Sequence, residues 1–138
     1  MSTSDANKRL MRRYFDEVWN QKNLAVLDEI ISPDHIRFEA GAPQELRGPE
    51  GVKQFIQTYM TAFPDAQLIV EDLFAEGDKV AVRWLFRGTH QGYLRDIPPT
   101  GNVVTNPGMT IAHIVDGKMV QYWTSWDTLM LMAQLSLL

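Results

Sequence analysis

Cysteine is absent from the sequence. Its absence excludes disulfide bonds, thiolate metal ligands, iron–sulfur clusters and a cysteine nucleophile. Long apolar runs are absent too, since no stretch approaches the roughly 20 apolar residues that a membrane-spanning helix needs. The beginning of the chain is mostly polar or charged and does not look like a targeting signal. We therefore expect a cytoplasmic protein that has no membrane as a partner.

An excess of positive charge is also missing, because the formal net charge is −4 at pH 7. Such a chain has no general attraction for phosphate backbones or anionic lipids, so we do not expect nucleic acid as a partner. Hydrophobic residues make up 45% of the chain and charged residues 22%, which is typical of a folded globular protein. With 138 residues there is enough chain for one core, and we interpret residues 1–138 as a single domain.

Motifs for metals and cofactors are missing as well. His35, His90 and His113 lie on different predicted elements, and no pair of them has the close helical spacing of a zinc motif. The sequence contains no glycine-rich phosphate loop and no nucleophile elbow. We expect neither a metal nor another cofactor, so any chemistry would use the side chains alone.

Helical periodicity is confined to the N-terminal half. Apolar residues repeat at three- and four-residue spacing from a cap at Ser4 to about Asn20, which predicts a first helix. Residues 24–31 predict a short second helix. A third helix is predicted from Pro49, where proline suits a helix start, to just before Pro64.

Alternating periodicity follows in the C-terminal half and predicts strands. Residues 80–87 alternate between apolar and other positions. The runs Met109 to Val115 and Lys118 to Trp126 flank Asp116-Gly117 and predict a hairpin, whereas residues 88–107 look rich in loops. Helices followed by antiparallel strands predict an α+β fold.

The register of this hairpin decides which side chains share a face of the sheet. A three-residue turn with a glycine bulge pairs Ile114 with Lys118. One face then carries Thr110, Ala112, Val120, Tyr122, Thr124 and Trp126. The other face carries His113, Gln121, Trp123, Ser125 and Asp127. A two-residue turn would instead place Thr110 with Trp123 and Asp127. We favour the bulged turn.

A carboxylate at the end of the last predicted strand is a candidate acid or base. Asp127 follows Trp126, and apolar company can raise the pKa of a carboxyl group. Aspartate is also a preferred N-cap, and Asp127 precedes a short C-terminal helix predicted from Leu129, Met132 and Leu135, so the cap is the more common role. His113 is a candidate partner in proton transfer, although strand histidines more often make structural hydrogen bonds.

Four motifs carry a resemblance to a known family: Arg87 to Gly92, Ile97 to Gly101, Ile114 to Lys118, and Trp123 to Asp127. In order and spacing they resemble the SnoaL-like polyketide cyclase and ester-cyclase family. The similarity continues back to Ile31 and so covers nearly the whole chain. It implies the cone-shaped, nuclear-transport-factor-like fold, in which three N-terminal helices pack in a curved antiparallel sheet. It also implies a homodimer or a higher homo-oligomer.

The resemblance further implies a reaction. The family's characterised cyclases close a ring of an aromatic polyketide ester by intramolecular aldol condensation without metal or cofactor. A carbon flanked by carbonyl groups is already acidic, so one placed carboxylate and a desolvated pocket can promote the reaction. The implied function is a polyketide cyclase or isomerase that performs cofactor-free acid/base chemistry on a hydrophobic, carbonyl-rich small molecule.

The chain departs from the family's catalytic pattern at three positions. Thr124 matches the catalytic aspartate of the cyclases, Thr110 matches their pocket histidine, and Arg37 matches an asparagine. We therefore predict Asp127 as the acid/base residue, with His113 and Thr124 as helpers. The predicted ligand-pocket residues are Tyr14, Arg37, Tyr59, Trp84, Thr110, Tyr122 and Trp126.

Two alternative functions stay open. The three changed positions suit a non-catalytic domain that binds a small molecule or an accessory protein. Because a fold does not determine a reaction, an epoxide hydrolase or ketosteroid-isomerase-like activity is the other alternative.

Overall fold

Helices occupy mainly the N-terminal half of the chain, as predicted. In the computed structural model, which describes residues 3–40 and 45–137, they are α1 (Thr3–Arg13), the π-helical segment Tyr14–Asn20, α2 (Leu27–Ile30), α3 (Gly48–Ala62) and α4 (Thr128–Gln134). A 3-10 turn at Leu24–Val26 leads into α2. None of the helices among these described residues is both long and apolar enough to span a membrane.

One six-stranded sheet forms the other layer. Its strands are β1 (Ile31–Glu39), β2 (Leu46–Arg47), β3 (Gln67–Glu76), β4 (Lys79–Thr89), β5 (Val103–Val115) and β6 (Lys118–Trp126). Their order across the sheet is β2-β1-β6-β5-β4-β3. The predicted α+β class is confirmed. The predicted loop over residues 88–107 is wrong at both ends, because β4 and β5 extend into it as paired strands.

The sheet is not antiparallel throughout, which corrects the prediction. Strands β1 and β6 run parallel, whereas the other neighbouring pairs are antiparallel. Parallel neighbours need a long connection between them. Here the chain from residue 40 to residue 117 supplies it. Strand β1 therefore lies between β2 and β6, the last strand, in the sheet.

The hairpin between β5 and β6 has a two-residue turn, so the favoured three-residue turn is wrong. Val115 pairs with Lys118, and the central residues Asp116 and Gly117 both have positive φ, at 51° and 73°. Positive φ at both central positions is what a type I′ turn requires, and this turn matches the twist of the flanking strands.

A register shift next to the turn restores the predicted grouping of side chains. The pairing slips between His113 and Ile114, and beyond this irregularity Ala112 lies opposite Tyr122 and Thr110 opposite Thr124. The inner face therefore carries Thr110, Ala112, Tyr122 and Thr124, as predicted for the bulged turn. Val120 is only half-buried, and its predicted place on that face is taken by Met119.

The first helix is not regular, although its periodicity predicts an α-helix to about Asn20. At about 100° per residue, residues five apart on an α-helix lie about 140° apart. The i→i+5 bonds of a π-helix widen the turn and bring such residues closer to one side. Tyr14 and Trp19 are five apart in the π segment, and both line the same cavity. Asn20 ties the segment to β3 by two bonds to the Leu68 backbone, of 2.9 and 2.7 Å.

Candidate functional site

An aromatic pocket lies between the helices and the inner face of the sheet. It is lined by Tyr14, Trp19, Arg37, Phe55, Tyr59, Leu68, Trp84, Phe86, Tyr122 and Trp126. Its empty volume, including the open mouth, is about 390 Å³. All of these residues except Arg37 and Leu68 are aromatic, so the walls present flat apolar faces that suit a planar ligand.

The rings that form the walls are closely packed. Tyr14 and Tyr122 have ring centroids 5.6 Å apart, and Tyr59 lies 5.5 Å from Trp126 in an edge-to-face contact. The space left between these rings is about 30 Å³, which is enough for about two water molecules. A ring-sized ligand therefore has to move some of these side chains apart.

Arg37 is the charged residue of the pocket lining. It lies on β1, and its side chain is only 6% exposed. The guanidinium carbon is 4.1 Å from the Phe55 ring centroid and 4.7 Å from that of Tyr122, which are cation–π distances. Burial acts to lower the pKa of Arg37, but the neighbouring Tyr14, Tyr122 and Glu39 outweigh this effect and raise it, so the group stays charged. Its Nε is buried and has no hydrogen-bond partner in the described chain.

Glu39 accompanies Arg37 at the more exposed end of β1. Its Oε1 lies 3.5 Å from Arg37 Nη2 and accepts a 3.0 Å hydrogen bond from Trp126 Nε1. The Glu39 side chain is 19% exposed, so water can reach it. Glu39 is not among the residues predicted from the sequence. The alternation of β1 would have found it, because residues two apart on a strand share a face.

Buried hydroxyl groups support the wall behind the pocket. Thr110 Oγ1 accepts from Trp84 Nε1 at 3.0 Å and donates to the Tyr122 hydroxyl at 3.0 Å, with Thr124 Oγ1 3.2 Å away. Burial raises the pKa of Tyr122 well above its usual value, and nearby Tyr14 adds to the effect, so this phenol stays protonated. Thr110 thus holds Trp84 and Tyr122 in place.

Asp127 lies outside the pocket lining. It is exposed, and its Oδ1 accepts a 2.8 Å hydrogen bond from the backbone N–H of Met130. It is the N-cap of α4, so the predicted cap is confirmed. Its acid/base role stays a prediction.

His113 also lies away from the pocket. Its neighbours on β5, Ala112 and Ile114, are buried, so the histidine faces the opposite side of the sheet. Its Nε2 is 2.6 Å from Asp78 Oδ2, and this contact is the main cause of a lowered pKa at Asp78. The structure therefore does not bring Asp127, His113 and Thr124 together. Among residues 3–40 and 45–137, no three His, Asp or Glu side chains converge so that they could hold a metal ion.

The outer face of the sheet carries a second apolar feature. The outer apolar patch consists of Phe38, Phe74, Met109, Ile111 and Trp123, which border a wide, open groove. Phe74 is 65% exposed and Met109 is 61% exposed. Phe38 and Trp123 stack with ring centroids 5.7 Å apart. The charged neighbour Arg83 is already paired with Glu71 and Asp72.

Comparisons with known proteins agree with this architecture. Residues 9–135 match the family model for the SnoaL-like polyketide cyclase. A candidate SnoaL-like polyketide cyclase from Jannaschia sp. CCS1 is 27% identical, with a TM-score of 0.90 over 99% of this chain and 96% of that chain. IdmH, a candidate polyketide cyclase from Streptomyces antibioticus, is 29% identical, with a TM-score of 0.82 over 94% of this chain and 98% of that chain.

A third solved structure is similar in fold alone. This Catenulispora acidiphila protein with a ketosteroid isomerase-like fold is 12% identical, with a TM-score of 0.78 over 94% of this chain and 93% of that chain. No curated protein sequence matches this chain. The structural similarities confirm the predicted cone-type fold.

Proposed function

The chain belongs to the SnoaL-like polyketide cyclase family, and we propose that its aromatic pocket binds a planar, carbonyl-bearing molecule and promotes cofactor-free, cyclase-type acid/base chemistry on it. The observation that carries this proposal is that Glu39, although not itself a lining residue, contacts two residues of the largely aromatic lining, Arg37 at 3.5 Å and Trp126 at 3.0 Å. Aromatic faces bind flat rings, a guanidinium stabilises an oxygen that gains negative charge, and a carboxylate accepts a proton.

The proposed chemistry uses these groups in sequence. Glu39 accepts a proton from a carbon flanked by carbonyl groups, and the electron pair of the broken C–H bond is delocalised onto the enolate oxygen. Arg37 and the neutral Tyr122 phenol stabilise that oxygen by electrostatic attraction and hydrogen bonding. The enolate carbon then forms a bond to a second carbonyl carbon of the same molecule. The resulting alkoxide takes the proton back from Glu39, so the protein ends unchanged.

Two carboxylates compete for the role of base, and a matched pair of variants separates them. Glu39→Gln keeps an acceptor for the Trp126 N–H but removes the base, so we expect proton transfer to slow by about 10²- to 10⁴-fold. Asp127→Asn keeps a good N-cap, so folding and proton transfer should stay near the wild-type level. The measurement is deuterium exchange at the α-carbon of acetonaphthone in D₂O, followed by NMR.

The competing results are equally specific. Loss of exchange in Asp127→Asn, with Glu39→Gln active, would assign the base to Asp127 as the sequence predicts. If wild-type protein binds acetonaphthone, seen by quenching of tryptophan fluorescence, but never accelerates exchange, the pocket is a non-catalytic binding site. That result would favour the alternative of an accessory domain.

We also propose that the outer apolar patch is covered by a second copy of the chain. Monomers rarely expose a contiguous apolar surface of this kind, and the paired Arg83 leaves little free charge for a charged partner.

Met109→Lys places a charge in the patch and should convert the oligomer to monomers in light-scattering chromatography. Leu129→Lys is the control, because Leu129 is 66% exposed on α4 and lies outside the patch. A wild-type monomer at micromolar concentration would rule the proposal out.

A further inference from the structure

The buried guanidinium of Arg37 has more donors than partners. Arginine carries five N–H donors. The partners in the described chain are Glu39, at 3.5 Å from Nη2, and the Tyr122 hydroxyl, whereas Nε has none. Burying a cation is costly unless charge and hydrogen bonds compensate it. Arg37 is therefore an incompletely compensated cation in the wall of the aromatic pocket.

Glu39 compensates this cation poorly. Strong pairs between guanidinium and carboxylate groups have N···O distances of about 2.7 to 2.9 Å and are often bidentate. Glu39 approaches Arg37 with one oxygen at 3.5 Å, and that same oxygen accepts the shorter hydrogen bond from Trp126. A carboxylate entering the pocket could form a closer contact with Arg37 than Glu39 does.

The remaining walls favour an anion that carries a ring. Arg37 contributes the charge of the lining, and the Tyr122 phenol stays a neutral hydrogen-bond donor because its pKa is raised. The guanidinium lies against the faces of Phe55 and Tyr122, so a ring attached to a bound anion would be among aromatic side chains. The pocket as it stands has space for about two water molecules, so a ligand of one or two fused rings enters only when the surrounding side chains move apart.

From these observations we propose that Arg37 makes the pocket selective for planar aromatic ligands that carry an anionic oxygen, either a carboxylate or an ionised 1,3-diketone. This inference rests on the proposed function because it uses the same pocket. The anionic oxygen pairs with the Arg37 guanidinium in place of Glu39.

The test compares the affinities of charged and neutral probes of nearly the same shape. Naphthoate and naphthamide are titrated into wild-type protein at pH 7, and quenching of pocket tryptophan fluorescence reports binding. We expect naphthoate to bind at least about tenfold more tightly. Benzoyltrifluoroacetone, an acidic 1,3-diketone, is the third probe. Preference for both anions assigns the site to anionic oxygens in general, whereas preference for naphthoate alone assigns it to carboxylates.

Two variants make the test independent of folding failure. Arg37→Met keeps an apolar stem and should remove the preference for naphthoate while naphthamide still binds. Glu39→Gln removes the competing carboxylate and should tighten naphthoate binding by several-fold with little change for naphthamide. Equal affinity of wild-type protein for the two naphthalene probes, or unchanged naphthoate binding in Glu39→Gln, would overturn the inference.

The binding result is distinguishable from the catalytic one. A preference for naphthoate without any deuterium exchange would retain the anion site and remove the proposed catalysis. Deuterium exchange of acetonaphthone without a preference for naphthoate would retain the proposed catalysis and remove the anion site.

Discussion

Gly108→Ala is expected to destabilise the fold by about 1 to 3 kcal/mol and to weaken naphthoate binding by at least about tenfold. Gly108 on β5 lies directly opposite Trp84 on β4. A Cβ atom at Gly108 would overlap the six-membered part of the indole ring. Trp84 is also held by its hydrogen bond to Thr110, so it cannot move without losing that bond. Because Trp84 lines the pocket, any displacement also changes the binding site.

A double-mutant cycle isolates this contact. In a Trp84→Leu background the smaller side chain leaves space for the new methyl group, so the Gly108→Ala penalty should largely disappear. The measurements are urea unfolding and fluorescence titration with naphthoate. Gly51→Ala is the matched control, because its Cβ would make only an ordinary contact with Leu46 and alanine suits the interior of α3. An equal penalty in both Trp84 backgrounds would refute this explanation.

Local periodicity was sufficient to predict most of the fold. The apolar repeat, Pro49 and Pro64 predict the third helix, and the structure has it as α3. Alternation likewise predicts β4 and the strands of the last hairpin. The π segment was not predictable this way, because its apolar residues also fit an α-helix. The register shift beside Ile114 was also missed, since it depends on pairing between strands.

The aromatic lining of the pocket is easier to predict from the sequence than the carboxylate of Glu39 beside it. Aromatic residues at Tyr14, Tyr59 and Trp126 were expected near a ligand, and they line the cavity. Glu39 was missed because its contact with Trp126 joins strands that are far apart in the sequence, although its two-residue spacing from Arg37 on β1 places both residues on one face. A carboxylate next to a tryptophan in sequence, as at Asp127, carries no information about whether the two side chains face the same space.

A buried histidine on β1, close to the pocket residue Arg37, is expected to make the protein less stable in acid. His35 lies two residues before Arg37 on this strand and is almost fully buried. Its Nδ1 is 3.0 Å from the carbonyl oxygen of Met119, so the neutral ring donates from this nitrogen. Burial lowers the pKa of His35 from 6.5 to about 4, and the charge of Arg37 contributes, although the bond to Met119 opposes the change.

This shift predicts a marked loss of stability in mild acid. The folded-state pKa of His35 lies below the unfolded value, so between pH 6.5 and about 4 the unfolded chain binds a proton that the folded chain does not. The free energy of unfolding is therefore highest above pH 6.5 and falls as the pH decreases towards 4. At about 1.36 kcal/mol for each unit of pKa difference, the loss from this residue approaches about 3 kcal/mol.

Urea unfolding at fixed protein concentration between pH 4 and 8 measures this loss. His35→Gln retains an N–H donor for the Met119 carbonyl but does not titrate, so its stability should depend less steeply on pH in this range. His90, whose pKa is lowered by burial, and Asp65 and Asp78, whose pKa values are lowered by hydrogen bonds from Thr89 and His113, contribute in the same direction. An unchanged slope in His35→Gln would show that the acid sensitivity arises elsewhere.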